Sequence, residues 1–189
     1  MRAISRPIRG VVERGRNVHL RSPRQSDRDE FLRLARASRE LHRPWVYAPE
    51  TPREFAAYLS HCSGAAKRCL LVCRREDDAI VGVYNVSEIT RGFFESAFLG
   101  YYAFAPAAGR GLMAEGLELV LRYAFRRLKL HRLEANIQPG NERSKRLVER
   151  AGFRYEGYSP RYLKIGGRWR DHERWAITRE DWAASRSKR

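Results

Sequence analysis

The sequence predicts an α+β fold, a mostly antiparallel sheet of about seven strands flanked by helices, and three observations carry that prediction. Between Cys69 and Phe104 the runs CLLVCRR, AIVGVYNVSEI and FFESAFLGYYAF are separated only by tight turns at Glu76-Asp77-Asp78 and Arg91-Gly92. That is the texture of an antiparallel meander. From Gly111 onward Met113, Leu117, Val120, Leu121, Ala124 and Leu128 recur at helical spacing, enough for about five turns. Near the end, FRYEGYSPRYLKIGGRWRDHERWAI reads as two strands joined at Gly166-Gly167.

The remaining elements follow in chain order. Residues 1–16 hold five Arg against one Glu, with two Gly and a Pro, and read as a flexible basic arm. RNVHLR, from Arg16 to Arg21, alternates as a short strand does, and Ser26-Asp27 opens a helix carrying Phe31, Leu32, Leu34 and Ala35. LHRPWVYAPETP is a loop; Pro52 then suits the first turn of a helix bearing Phe55, Ala56 and Leu59. After the long helix, RLEANI alternates as a strand and PG turns the chain. Asn141 caps a second helix through Leu147 and Val148 that stops at Gly152. A last short helix starts near Thr178, and residues 186–189 form a basic tail. Residues 17–185 are therefore expected to be one domain.

With 189 residues, 43% hydrophobic and 32% charged, the composition excludes disordered, collagen-like and disulfide-stapled classes. The net charge of +16 points to an anionic partner: nucleic acid, a phosphorylated cofactor or a membrane surface. Of the 38 basic residues 33 are Arg, so an Arg-rich genome also accounts for part of the excess. Cys62, Cys69 and Cys73 lack metal-site spacing and read as buried or idle thiols in a reducing cytoplasm. No run has the roughly 18 apolar residues of a membrane span. The expected location is cytoplasmic, without membrane or metal.

Gly109 and Gly111 stand between the end of a strand and the start of the best helix. Glycines there can aim backbone amides at a ligand, and a helix N-terminus attracts anions, so this turn can hold a pyrophosphate, with Arg110 adding a charge-assisted contact. For a lone GxG a plain tight turn with glycine entering a helix is the favoured reading. The segment fits neither a Walker A loop nor the dinucleotide fingerprint, in which Ala114 would be glycine.

Taken together, IVGVYNVSEITRG, LGYYAF, GRGLMAEGL, the HRLEAN, PGNERS and AGF elements and YLKIGGRWRDHERWAI resemble the GNAT N-acetyltransferases in order and spacing. The likeness is to the RimJ/RimL type, which acetylate N-termini of ribosomal proteins, and it covers most of residues 18–178. The RPW at Arg43–Trp45 is similar to that group's substrate-side loop. The resemblance implies the GNAT fold, a mixed twisted sheet, and acetyl-CoA as co-substrate. Its pyrophosphate motif falls on Gly109, Arg110, Gly111, Leu112, Met113 and Ala114, with Ala108 where Gln or Arg is usual and Met113 where Gly or Ala is usual. The strand through Tyr102, Ala103 and Phe104 would pair with the pantetheine arm and aim an N–H at the thioester carbonyl. Asn141 would contact pantetheine, and Ser144 would protonate or hydrogen-bond the departing thiolate.

The family's carboxylate before the YL pair is missing, since Arg161 occupies that neighbourhood in SPRYLKI. Glu134 is the first substitute as general base, followed by Glu88 and Glu95, with His131 and Asp171-His172 further candidates. A strand-face carboxylate paired with arginine is an equally good reading of Glu134. The expected activity is direct amine attack on the thioester, with the N-terminal amine of a ribosomal protein beginning with alanine as leading acceptor. Two alternatives are acetylation of a small amine such as an antibiotic or polyamine, and a ribosome- or RNA-binding factor with little turnover. The basic ends are the handles for a ribosome or RNA contact. Oligomeric state is not legible.

Overall fold

In the computed structural model, residues 10–62 and 64–187 are described. They form eight strands and six α-helices in the order β1 (Val11–Arg14), β2 (Val18–Arg21), α1 (Arg28–Ala37), α2 (Arg39–His42), α3 (Pro52–His61), β3 (Arg68–Arg74), β4 (Ile80–Thr90), β5 (Ser96–Ala103), α4 (Leu112–Arg122), β6 (Arg132–Ile137), α5 (Glu142–Arg150), β7 (Arg154–Ile165), β8 (Arg168–Thr178) and α6 (Arg179–Ser187). The strands make one sheet, β1-β2-β3-β4-β5-β6-β8-β7. Every neighbouring pair is antiparallel except β5–β6, which is parallel.

The eighth strand comes from the expected arm. Val11–Arg14 pairs with β2 at the sheet edge, and Glu13 accepts from Arg122 of α4 at 2.6 Å; the rest of the arm, residues 1–9, lies outside the described residues. At the other end Arg186 and Ser187 belong to α6 instead of a tail, with the Arg186 guanidinium over the Trp182 ring at 5.3 Å. Phe93 and Phe94, expected within a strand, stand exposed in the turn before β5, where Gly92 and Glu95 take positive φ and redirect the chain. The long helix is α-helical to Arg122 and continues as a wider π-helical turn, Tyr123–Arg127, keeping Ala124, Phe125 and Leu128 in the core.

Two apolar layers hold the sheet. On one face Val18, Leu20, Leu70, Val72, Leu99, Leu133, Ala135 and Ile137 pack with Leu117, Val120 and Leu121 of α4 and Val148 of α5. On the other, Leu71, Val83, Tyr102 and Phe104 pack under Phe31 and Leu34 of α1 and Phe55 of α3. Gly116 lets α4 lie close to the sheet, because a Cβ there would meet the Val72 side chain at 3.0 Å. Glu115 then accepts from Asn17 N–H at 2.8 Å and Asn17 Nδ2 at 2.9 Å, tying the β1–β2 turn to α4.

Cys62 and Cys69 are joined by a disulfide, where idle thiols were expected. The short connection after α3 folds back and brings their Cα atoms within 5.4 Å. Cys73 is a free, fully buried thiol, and burial pushes its ionisation well above the ordinary range. No helix among the described residues is long and apolar enough to cross a membrane.

Candidate active site

The parallel pair β5–β6 is joined only at its start. Ser96, Ala97 and Phe98 pair with Arg132, Leu133 and Glu134, and the register ends there. Beyond Phe98 and Glu134 the two strands run on unpaired, opening a V in the middle of the sheet with exposed backbone donors and acceptors along its sides.

Hydrogen-bond alternation decides which residues of β5 face that opening. Phe104 donates its N–H to Val81 of β4 at 2.9 Å, and Tyr102 pairs with Val83 in the same register. Antiparallel pairing turns alternate residues toward and away from a neighbour. Tyr102 and Phe104 therefore direct their backbones at β4, while Leu99, Tyr101 and Ala103 direct theirs into the V. Of the Tyr102, Ala103 and Phe104 stretch expected to meet pantetheine, only Ala103 turns its backbone toward the V, together with Tyr101 and Leu99. Tyr102 and Phe104 are core side chains. The Ala103 carbonyl already accepts from His42 Nε2 at 2.8 Å, as its outward direction requires. Burial lowers the pKa of His42, keeping the imidazole neutral with its proton on Nε2.

The chain leaves β5 through Ala105–Ala107 and reaches Gly109 and Gly111, both at positive φ (75° and 74°), with open space where either would carry a Cβ. Gly111 is the N-cap of α4, no side chain caps the helix, and Glu115 N–H to the Gly111 carbonyl is its first turn's closing bond. The N–H groups of Leu112, Met113 and Ala114 precede that bond and have no intrahelical acceptor. With the helix dipole they form an anion cradle. Arg110 is exposed beside it, as is Ala108. The cradle is held from below: Tyr84 donates its hydroxyl to the Met113 carbonyl at 2.8 Å, and Gly82 leaves the room that the Met113 sulfur occupies.

Across the V, α5 begins where β6 ends. Asn141 Oδ1 accepts from Ser144 N–H at 3.2 Å as its N-cap, a bond that contributes about 1 kcal/mol. The Ser144 hydroxyl lies 2.5 Å from the Tyr101 hydroxyl, which also reaches the Ser144 carbonyl at 3.2 Å. Burial pushes the Tyr101 phenol up, so it stays protonated. The sequence singles out Ser144 but not Tyr101; period-two alternation from Leu99 is the signal that places its ring on the α5 side.

The carboxylates fall as follows. Glu134 stands at the vertex of the V, but its Oε1 accepts from Arg132 Nε at 2.9 Å, and the same guanidinium grips Glu156 of β7 through both terminal nitrogens. Glu88 and Glu95 lie exposed at the β4–β5 turn, at the end of the strands away from the glycines. His131 pairs with Glu180 at 3.0 Å. Asp171 accepts from Arg161 N–H at 2.7 Å and from the Tyr158 hydroxyl at 2.5 Å, and those bonds lower its pKa. His172 is buried and neutral.

Asp171 also lines a cleft of about 260 Å³ with Trp45, Gln138, Pro139, Gly140, Trp169 and Arg170. The α2–α3 loop forms its lid. Trp45 packs where a Cβ on Gly140 would sit, Tyr47 does the same at Gly166, and Gln138 donates to the Trp45 carbonyl at 3.2 Å. Gln138, Pro139 and Gly140 of the β6–α5 connection form one wall of this cleft, and Trp169, Arg170 and Asp171 of β8 form another.

His19, Cys73 and Asp78 bring three metal-capable atoms within 4.8 Å of one another. Their chemistry is otherwise engaged: Asp78 Oδ1 is shared by His19 Nε2 at 2.9 Å and Arg21 Nε at 3.1 Å, and Arg21 is bidentate to Asp27. This network ties β2 to the β3–β4 turn and to α1.

Comparison with known proteins places this geometry among acetyltransferases. A family model described as an acetyltransferase (GNAT) domain matches residues 17–154. The chain is 32% identical over 176 residues to the probable N-acetyltransferase YjcK of Bacillus subtilis, covering 89% of this chain and 97% of that protein. It is 43% identical over 111 residues to the [ribosomal protein uS5]-alanine N-acetyltransferase of Escherichia coli, a match spanning 59% of this chain and 57% of that protein. A solved structure of Mycobacterium smegmatis RimJ in complex with CoA-disulfide superposes with a TM-score of 0.77 at 30% identity, covering 87% of this chain and 83% of that one.

Proposed function

Because this chain belongs to the GNAT family of N-acetyltransferases, we propose that it moves an acetyl group from acetyl-CoA to the N-terminal α-amine of a protein, with a ribosomal protein beginning with alanine as leading acceptor. The observation that carries the reading is the V between β5 and β6, ending on an uncapped helix N-terminus.

Acetyl-CoA supplies an activated acetyl thioester. The residues present fit it: the amides of Gly109 to Ala114 suit a pyrophosphate, Arg110 adds charge, and the free edge of β5 at Leu99, Tyr101 and Ala103 suits an amide-bearing arm. A backbone N–H on that edge is the donor for charge growing on the acetyl oxygen. Asn141, fixed as a cap, flanks the arm. Ser144 donates to the departing sulfur and draws its replacement hydrogen bond from Tyr101.

Glu134 is held by Arg132, and Asp171 by the Arg161 N–H and the Tyr158 hydroxyl, which favours an acceptor that arrives already deprotonated. An α-amine has a pKa of about 7.7 to 8.0 against about 10.4 for lysine, so only the former is substantially neutral near pH 7.5. The reaction is then direct attack by the neutral amine, with no covalent enzyme intermediate. The uS5-alanine enzyme of E. coli supports the acceptor assignment by its similarity. The test is thiol release from acetyl-CoA with a peptide beginning with alanine; release is expected, and its absence alongside release with polyamines would overturn the acceptor assignment.

A further inference from the structure

Helix α3 is tied to the sheet at two points one turn apart. The Tyr58 hydroxyl donates to Asn85 Oδ1 of β4 at 3.2 Å, and Cys62, the C-cap residue, is joined through sulfur to Cys69 of β3. Cys69 and Asn85 are themselves partners in the β3–β4 register. Residues i and i+4 share a helix face, so both links leave the same side of α3 and end on the same strand pair. Phe55, further back along the helix, is fully buried in the α1–α3 core. The connection to β3 has its own clasp, since Arg68 Nη1 donates to the Gly64 and Lys67 carbonyls at 2.9 and 2.6 Å. Both the helix and the connection are therefore held by bonds that do not pass through sulfur.

The sulfur link itself is reached from outside. Cys62 is half-buried and Cys69 buried, and both line an open cleft of about 190 Å³ with Ser22, Pro23, Leu59 and Arg68. A water molecule takes about 30 Å³, so a small organic thiol has room to enter. Cys73 stands apart: it is fully buried, and four residues along β3 place it about 13 Å from Cys69. A bridge needs Cα atoms within about 7 Å, and the Cα of Cys62 lies 5.4 Å from that of Cys69, so Cys73 is out of range of both. The pair has no competing partner within the chain.

We propose that Cys62–Cys69 is a reversible exchange site for low-molecular-weight thiols of the glutathione kind, working in the folded protein. A thiolate entering the cleft attacks Sγ of Cys62, the more exposed sulfur. The new S–S bond forms there, the Cys62–Cys69 bond breaks, and Cys69 leaves as a thiolate that takes up a proton. A second thiolate attacks the mixed disulfide, releasing the small disulfide and the Cys62 thiolate, which is protonated in turn. Two thiols have then supplied the two electrons; the reverse sequence consumes the small disulfide and closes the bridge. Arg68 brings to the cleft a charge of the sign that steadies both the incoming and the released thiolate. Phe55 and the Tyr58–Asn85 bond keep α3 seated while the bridge is open, so the two sulfurs stay within reach of each other. The proposal stands independently of the acetyl-transfer reading.

The test treats the folded, full-length oxidised protein with excess dithiothreitol and then iodoacetamide, and maps the labelled cysteines by mass. Labels are expected on Cys62 and Cys69, with Cys73 labelled only after unfolding in urea, and glutathione disulfide should re-form the bridge in the reduced, unlabelled protein. Glutathione disulfide should also modify Cys62 in Cys69→Ser at least about tenfold faster than Cys69 in Cys62→Ser, because exchange rates follow access to the sulfur. Where a serine variant fails to fold, acid quenching of the wild type during reduction by glutathione traps the mixed disulfide, which should map to Cys62. A bridge that opens only in urea overturns the proposal, as does a reduced pair that glutathione disulfide cannot close or labelling of all three cysteines together. Glutathione found on Cys69 in preference to Cys62 overturns the order of attack.

Discussion

The hydroxyls of Tyr101 on β5 and Ser144 on α5 lie 2.5 Å apart, spanning the V between the strands. The phenol, held protonated by burial, can donate to Ser144 Oγ as the serine proton turns toward a leaving sulfur. This pair makes a two-member donor chain. Ser144→Ala should lower kcat by about a hundredfold, the low end of general acid effects, with acetyl-CoA affinity changed little. Tyr101→Phe should lower kcat by about tenfold and be nearly silent in a Ser144→Ala background, since the phenol acts through the serine. Stopped-flow acetyl transfer on the two single variants and the double variant checks this; additive losses would show that the two hydroxyls act separately.

The glycine turn offers a second test. Gly111 has φ of 74° and open space at its Cβ, so a side chain there meets no clash but takes on left-handed strain. Aspartate adds a carboxylate to an anion cradle. Gly111→Asp should weaken acetyl-CoA binding by about a hundredfold, corresponding to one or two charge-assisted hydrogen bonds, while Gly111→Asn, which tolerates the same φ without charge, should cost much less. Isothermal titration with both variants distinguishes charge from strain; equal affinities for wild type and Gly111→Asp would remove the cradle from the cofactor site.

Why some of this was legible in the sequence and some was not follows from distance along the chain. Gly109, Gly111 and the apolar repeat from Met113 to Leu128 are local signals, and the turn and helix stand where those signals put them. Asn141 is equally local, a cap written into its own neighbourhood. By contrast the V and the Tyr101–Ser144 contact join segments some 35 to 45 residues apart, and no period in one strand says which neighbour it lacks. Backbone direction was lost in the same way: whether Tyr102 or Ala103 faces the V depends on pairing with β4, not on side-chain pattern. Val11–Arg14 was hidden by its charge, since an edge strand with one face to solvent tolerates the composition of a flexible arm.

Glu134 separates two readings of the vertex. Its link to Arg132, which also grips Glu156, makes it a brace between β6 and β7. Glu134→Gln should therefore lower stability by about 1 kcal/mol and reduce kcat/KM by less than about tenfold, with the acid limb of the pH profile unmoved and still following the acceptor amine. The pH dependence of kcat/KM with two peptides of different α-amine pKa checks this. An acid limb that shifts in Glu134→Gln, and not with the peptide, would make Glu134 the base.

Stability should also carry a pH signature from three buried imidazoles. His19, His42 and His172 are all fully or nearly fully buried, and burial lowers the pKa of each below the ordinary 6.5. As pH falls through about 6.5 the unfolded chain takes up protons that the folded chain refuses, so folding stability is complete above that pH and declines below it, at up to about 1.4 kcal/mol per pH unit for each histidine. The shifted carboxylates, among them Glu115 and Glu156, are moved downward and titrate below about pH 4.5; Cys73 and the buried tyrosines are moved upward. The window from pH 7.5 to 5.5 therefore belongs to histidine. Urea midpoints across it should fall with pH, and His42→Gln, which keeps an Nε2–H donor for the Ala103 carbonyl, should flatten the slope while preserving stability at pH 7.5. Because the folded imidazole stays neutral in this window, the effect is confined to the folding equilibrium; a urea-midpoint slope identical in the two proteins would place the pH dependence elsewhere.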